Sequence, residues 1–153
     1  GSKFWFTIPN RHAPNKKQEI LTDSSIAKSD YPSNRSILVV EDNQTNLDMI
    51  KYLLSIHKHK VHVARNGKEA IVQADLKKPD LILMDIRMPI MDGFEATKIL
   101  RTKQVFSKTP IIALTASAGE GSREDSLGAG CTDHISKPIQ SIELFETLSR
   151  YIK

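Results

Sequence analysis

Glu41-Asp42, Asp85, Thr115 and Lys137 each stand directly after a short, strand-like run of residues. Alone, any of them would read as a helix cap or a solvated charge. Together they supply three carboxylates, a hydroxyl and an ammonium. Carboxylates brought close repel one another and resist joint ionisation. A hard divalent cation relieves that repulsion, and oxygen-only ligands with water suit magnesium. A carboxylate beside a cation, a hydroxyl and a lysine can perform phosphoryl transfer, in which the catalyst mainly positions and neutralises the phosphoryl oxygens. On this reading Asp85 is the nucleophile and forms an aspartyl phosphate. Lys137 pairs with the phosphoryl group and Thr115 hydrogen-bonds one of its oxygens.

These residues need elements that converge on one rim. Ile37–Val40, Leu81–Met84 and Ile111–Leu114 are continuous apolar runs, the pattern of strands covered on both faces of a parallel sheet. Val61–Ala64 and Thr132–Ser136 are more polar and suit sheet edges. Helical spacing fills the gaps: Gln44 to His57 with Leu47, Ile50, Leu53 and Leu54 on one face, and Ser141 to Ile152 with Leu144, Phe145, Leu148 and Ile152 inward. Gly67 to Lys77, Gly93 to Lys103 and Gly119 to Leu127 are the other three helices. Five strands alternating with five helices predict a flavodoxin-like α/β domain with strand order 2-1-3-4-5. Ligands of such sheets bind beyond the carboxyl ends of the strands, where the five residues fall.

The rest of the chain narrows the class. Of 153 residues 39% are hydrophobic and 26% charged, enough apolar material for a buried core. No apolar run approaches the roughly 20 residues that span a bilayer, and the amino end does not read as a signal peptide. Cys131 is the single cysteine, so neither an intramolecular disulfide nor a cysteine-based zinc site is expected, and the compartment reads as cytoplasmic. The net charge of +4 belongs mostly to the first 35 residues, where six basic side chains face three acidic ones. The remainder is nearly balanced and has no basic stripe with interleaved aromatics, so nucleic acid is not an expected partner. Asn10 to Arg35, with Pro14 and Pro32, reads as a linker, and Phe4–Ile8 ahead of it as a short strand closed by Pro9.

Val39-Val40-Glu41-Asp42-Asn43, Met84-Asp85-Ile86-Arg87-Met88-Pro89-Ile90-Met91-Asp92-Gly93, Ala113-Leu114-Thr115-Ala116 and Ser136-Lys137-Pro138 resemble the signature blocks of two-component response-regulator receiver domains. The resemblance covers residues 36–153. It implies that Asp85 accepts a phosphoryl group from a kinase phosphohistidine and catalyses its own phosphorylation and dephosphorylation. It also implies that Glu41, Asp42 and Asp85 hold magnesium together with the main-chain carbonyl of Arg87, and that the Lys137–Pro138 bond is often cis. Glu41-Asp42-Asn43-Gln44-Thr45-Asn46 is similar to the opening of receivers fused to histidine kinases. Residues 1–9 resemble the closing strand of a histidine-kinase ATP-binding domain, which makes 10–35 an interdomain linker. Such a parent could be membrane-bound, while no direct membrane contact is expected from this chain. The implied partners are the phosphohistidine domain of the kinase and a histidine phosphotransfer protein, received on Asn46, Leu47 and Ile50 of the first helix and on Pro138.

Departures from the family pattern carry their own expectations. His134 stands where a Tyr or Phe rotamer switch coupled to Thr115 is usual. It is either a switch with added pH sensitivity or an edge-strand histidine without that role. Gly119 and Gly121 predict a mobile or shortened first turn of the fourth helix. The Arg87 side chain could lean over the phosphoryl site or simply be solvated. Cys131 is expected to be a packed residue, Met88 and Met91 loop packing, and Asp92 a helix cap. His57, His59 and His62 are not expected to form a metal cluster. Two enzyme-like readings fall away: a flavin site would not place Glu41-Asp42 against a phosphate, and a haloacid-dehalogenase-like phosphatase wants an acid where Arg87 stands. Two alternatives stay open, a module that signals by contact without phosphorylation and a standalone regulator.

Overall fold

A computed structural model describes residues 31–116 and 120–152. The chain divides into two units, Gly1–Tyr31 and Pro32–Lys153, and the fold described below is that of the second. The expected Phe4–Ile8 strand and most of the expected linker lie outside the described residues, as does Gly119. Five strands, β1 (Ser36–Val40), β2 (Lys60–Ala64), β3 (Leu81–Asp85), β4 (Ile111–Thr115) and β5 (Asp133–Ser136), form one parallel sheet. Its order is β2-β1-β3-β4-β5, the predicted flavodoxin-like arrangement. Helices α1 (Gln44–Ile56), α2 (Gly67–Lys77), α3 (Gly93–Arg101), α4 (Glu120–Ala129) and α5 (Ser141–Tyr151) alternate with the strands.

Burial follows the polarity of the runs. Every residue of β3 and β4 is buried, whereas the edge strand β2 buries only Ala64 and the edge strand β5 only Ile135. Both faces of the interior strands are covered, so their side chains have no polar direction to point in. Leu47, Ile50 and Leu54 of α1, and Leu144, Phe145 and Leu148 of α5, bury the apolar faces read from their spacing. Asn43, Asn66 and Asp92 cap α1, α2 and α3, each side chain accepting the backbone N–H three residues on.

The third helix stops at Arg101, two residues before the expected end, and a single 3-10 turn follows at Gln104–Phe106. The cause is Arg101. Its guanidinium donates to the carbonyls of Gly130 (2.8 Å), Phe106 (2.5 Å) and Thr109 (2.8 Å) and to Thr132 Oγ1 (3.2 Å). Gathering these carbonyls folds the chain back before β4 and lets Phe106 bury. Residues 34 and 35 are tied to the turn between α1 and β2: the Asn34 amide donates to the His57 carbonyl and the Arg35 amide to His59 Nδ1. Among the described residues no helix is long and apolar enough to cross a membrane.

Candidate functional site

The carboxyl ends of β1, β3, β4 and β5 bring the chemistry-bearing residues to one rim. Asp85 and Thr115 are the last residues of β3 and β4; Glu41 follows β1 and Lys137 follows β5. Gly93 allows this packing. Its amide donates to the Ile86 carbonyl at 2.9 Å, and a Cβ there would collide with the Asp85 carbonyl oxygen and come within 2.9 Å of Ile86 Cα. Only a residue without a side chain lets α3 start so close to the end of β3.

Lys137 Nζ lies 3.0 Å from Glu41 Oε2 and 3.0 Å from Asp85 Oδ1. Glu41 is fully buried, Asp85 and Thr115 are buried, and Asp42 is exposed. Glu41 is further held by the Asn43 amide on Oε1 (3.1 Å), and Asn46 Nδ2 sits 3.5 Å from Oε2. The Arg87 amide faces Asp85 Oδ1 at 3.4 Å while the Arg87 side chain points into solvent. The Lys137–Pro138 bond is cis, and the Lys137 amide donates to the Thr115 carbonyl at 2.7 Å, linking β4 to the segment beyond β5.

The charges are unbalanced. One carboxylate oxygen from each of Glu41, Asp42 and Asp85 falls within a 4.8 Å cluster, against a single ammonium. Burial, with the Glu41 charge adding to it, pushes the Asp85 carboxyl up to about 7, and Lys137 opposes the rise. Burial also acts upward on Glu41. There the Asn43 amide, Lys137 and a hydrogen bond shared with Asp85 outweigh it and hold the group below its ordinary value. Lys137 loses hydration by burial but is raised by its bonds to both carboxylates. A site with excess buried negative charge and only oxygen donors fits a hard divalent cation.

Not every expected residue lies on this rim in the way foreseen. Leu47 and Ile50 were expected on a partner surface. They are 2% and 0% exposed, facing the sheet, and cannot touch a partner. The correction follows from helical geometry: the residues that made α1 amphipathic are the ones its packing consumes. Asn46 is half-buried and Pro138 exposed. The outward side of α1 instead shows Met49, Tyr52 and Ile56. His134 pairs in register with Ala113, and its Nδ1 lies 3.8 Å from Asp133 Oδ1, too far for a hydrogen bond.

The remaining polar candidates are packing groups. Asp92 caps α3, and Met88 and Met91 pack against the core as expected. Cys131 is buried, with Sγ 3.8 Å from Thr97 Oγ1, and burial pushes its thiol up. The His57 ring meets Phe145 edge-on at 4.8 Å and lies 6.3 Å from the His59 ring, while His62 Nε2 pairs with Ser36 Oγ at 3.1 Å. Sequence reasoning did not assign Asn43 its amide bond to Glu41, or Gly93 its place against Asp85. For Asn43 the available signal was its place directly after Glu41-Asp42; for Gly93 it was its place at the start of the helix that follows the Asp85 loop.

Known proteins resemble the chain over this same region. The family model described as a response regulator receiver domain matches residues 37–149. Hybrid signal transduction histidine kinase G of Dictyostelium discoideum is 43% identical over 118 residues, 75% of this chain but 3% of that protein. The polar-differentiation response regulator DivK of Brucella anthropi is 38% identical over 118 residues, 77% of this chain and 96% of DivK. The receiver domain of the Pseudomonas aeruginosa sensor histidine kinase PA1611, solved with a magnesium ion in its active-site cleft, superposes with a TM-score of 0.73 at 39% identity. That match covers 78% of this chain and 98% of the other. The receiver of Saccharomyces cerevisiae Ssk1, solved with the histidine phosphotransfer protein Ypd1, superposes with a TM-score of 0.75 at 28% identity, covering 80% and 91%. With the fold, the acidic rim and these matches falling on one stretch of sequence, the chain belongs to the response-regulator receiver domain family of two-component signalling.

Proposed function

We propose that this domain is a phosphoacceptor, taking a phosphoryl group from a kinase phosphohistidine onto Asp85 and relaying it to a histidine phosphotransfer protein or regulating its parent kinase. The observation that carries the reading is the Lys137 ammonium set 3.0 Å from both buried carboxylates, Glu41 and Asp85. A scaffold has no need for that arrangement, since a buried ion pair is at best a weak source of stability.

In the transfer an Asp85 carboxylate oxygen attacks phosphorus and the new O–P bond forms as the N–P bond breaks. The bonding electron pair stays on the imidazole nitrogen, and the ring leaves neutral when its other nitrogen carries the proton. Lys137 meets charge on the phosphoryl oxygens, Thr115 donates a hydrogen bond to one of them, and Glu41 keeps Lys137 in place. Glu41, Asp42, Asp85 and the Arg87 carbonyl would hold magnesium, which when bound neutralises phosphoryl and carboxylate charge. Relay repeats the exchange toward a second histidine; hydrolysis replaces that histidine with water.

The parent is read as a hybrid histidine kinase, supported by the similarity to kinase G and to the PA1611 receiver. Residues 1–9 are then the last strand of its ATP-binding domain and 10–35 the linker. The docking face combines Asn46 and Pro138 with the exposed side of α1 at Met49, Tyr52 and Ile56, whose apolar tips can meet a helical partner. His134, paired with Ala113 two residues before Thr115, is the proposed switch residue together with Thr115.

Intact-mass spectrometry after incubation with acetyl phosphate and magnesium tests the reading. One added phosphoryl group is expected, absent from Asp85→Asn and from the chelated sample. No adduct under conditions that label a known receiver would leave a module that signals by contact alone.

A further inference from the structure

We propose that the end of the domain at which the strands begin is a membrane-docking face, its lysines meeting anionic phospholipid headgroups and its exposed aliphatic side chains entering the interface. The inference does not depend on Asp85 being the phosphoacceptor.

The face is assembled from residues far apart in the chain. The strands are parallel and begin at one end of the sheet, and the helices that return between them finish there. Lys60 opens β2, in register with Ser36, the first residue of β1. Lys58 stands in the turn just before it, Lys77 is the last residue of α2, and Lys108 precedes β4. All four are exposed, and among the described residues none is in an ion pair. The carboxylates at this end are already engaged: Asp75 with Lys103 at 2.7 Å, Asp133 with Arg150 at 2.9 Å, and Asp80 Oδ2 with the Ser36 amide at 2.8 Å. The surplus is felt inside. Burial first, then the charges of Lys77 and Lys60, hold the His62 imidazole below its ordinary value.

Helix electrostatics explains only part of this. A lysine in the last turn of a helix meets the carbonyl end of its dipole, which accounts for Lys77. It does not account for Lys60 in a strand or Lys108 in a loop. Nor does solvation account for the apolar side chains at the same end. Ile56 ends α1, Leu76 stands next to Lys77, and Val105 sits in the 3-10 turn after α3; they are 41%, 68% and 55% exposed. Any one of them alone would mean little. Together with the lysines they make a mixed surface.

That mixture identifies the partner. Basic side chains set among aliphatic tips suit a layer of anionic headgroups over hydrocarbon. A nucleic-acid face calls for arginine forks and stacking rings. Here the Arg101 guanidinium is taken up by carbonyls and Phe106 is buried. The chain also enters the domain at this end, where Asn34 and Arg35 are tied to the α1–β2 turn. Residues 1–30 tether five further basic side chains, against three acidic ones, to the same point. No run in the sequence announces such a face, because its residues are scattered from position 56 to 108 and only the fold gathers them. The acidic rim lies at the other ends of five-residue strands, about 16 Å away, so a docked domain turns it off the bilayer.

Co-sedimentation of the full chain with vesicles tests the proposal, comparing phosphatidylcholine alone with phosphatidylcholine holding about 30% phosphatidylserine. Binding to the anionic vesicles is expected at about 0.1 M salt, with release at about 1 M and none to phosphatidylcholine alone. The triple variant Lys58→Gln, Lys60→Gln, Lys77→Gln should bind about a hundredfold more weakly, and the double variant Leu76→Ser, Val105→Ser about tenfold. All five positions are exposed, so both variants should melt like wild type. Equal binding to the two vesicle types overturns the proposal. So does wild-type binding by the lysine variant, which would place the contact on residues 1–30, or by the apolar variant, which would leave charge alone. Retention on duplex DNA without vesicle binding would also overturn it and mark a nucleic-acid face instead.

Discussion

Lys137, beyond the edge strand β5, places its ammonium 3.0 Å from the fully buried carboxylate of Glu41, beyond β1. Two strands, β3 and β4, lie between β1 and β5, a span of about 14 Å at the usual strand spacing. The lysine bridges it because the segment after β5 turns over the sheet, fixed by the Lys137 amide on the Thr115 carbonyl. One cation thereby offsets two buried anions, and Asp85 lies within reach of both.

Removing that cation should show which charges it supports. Lys137→Met is expected to destabilise the metal-free protein by about 2 kcal/mol at pH 8, less than for a fully enclosed pair because the lysine is partly open to solvent. The loss should shrink below pH 7, where Asp85 takes up a proton instead. Urea melts at pH 8 and pH 5 measure it; an equal loss at both would contradict the charge account.

The raised Asp85 carboxyl predicts a pH dependence opposite to that of an ordinary paired aspartate. Its value goes from 3.8 to about 7 on folding, so the native state binds this proton more tightly than the unfolded state. This contribution is full below 3.8 and is lost as pH rises to about 7. The proposed magnesium would have to displace the same proton, so its affinity is expected to climb across that window and level off above about 7. Thermal melts with and without magnesium check both trends, and Asp85→Asn should flatten them.

Glycine 93 is expected to be intolerant for a spatial reason. Gly93→Ala drives a Cβ into the Asp85 carbonyl oxygen and against Met84 Cγ, so the β3–α3 junction must shift. A loss of about 1–3 kcal/mol is expected, with slower labelling of Asp85 by acetyl phosphate. Gly128→Ala is the control: nothing lies within 4 Å of its Cβ position, and helix propensity predicts a gain of up to about 1 kcal/mol.

Arg101 separates stability from chemistry. Arg101→Met leaves the carbonyls of Gly130, Phe106 and Thr109 without their shared donor. About 2–4 kcal/mol should be lost in a urea melt, on the scale of orphaned buried acceptors. Folded protein should still label at the wild-type rate, because Arg101 binds near the starts of β4 and β5, at the opposite end of the sheet from Asp85.

By itself the sequence determined what depends on neighbours along the chain. Continuous apolar runs marked β1, β3 and β4 as interior, mixed polarity marked β2 and β5 as edges, and 3.6-residue spacing marked α1 and α5. Since each functional residue stands at or just beyond the end of a strand, locating the strands located the rim. Only the tertiary structure decided what depends on contact between distant segments. It turned Leu47 and Ile50 inward, leaving Met49, Tyr52 and Ile56 outside. It ended α3 at Arg101, through carbonyls up to 29 positions away in sequence. It set the Asp85 carboxyl near 7, a value fixed by burial and by charges from β1 and β5. It also bent Ile90 into a conformation its residue type disfavours. Periodicity is a local property of a chain; burial, charge coupling and imposed strain exist only once remote parts are packed together.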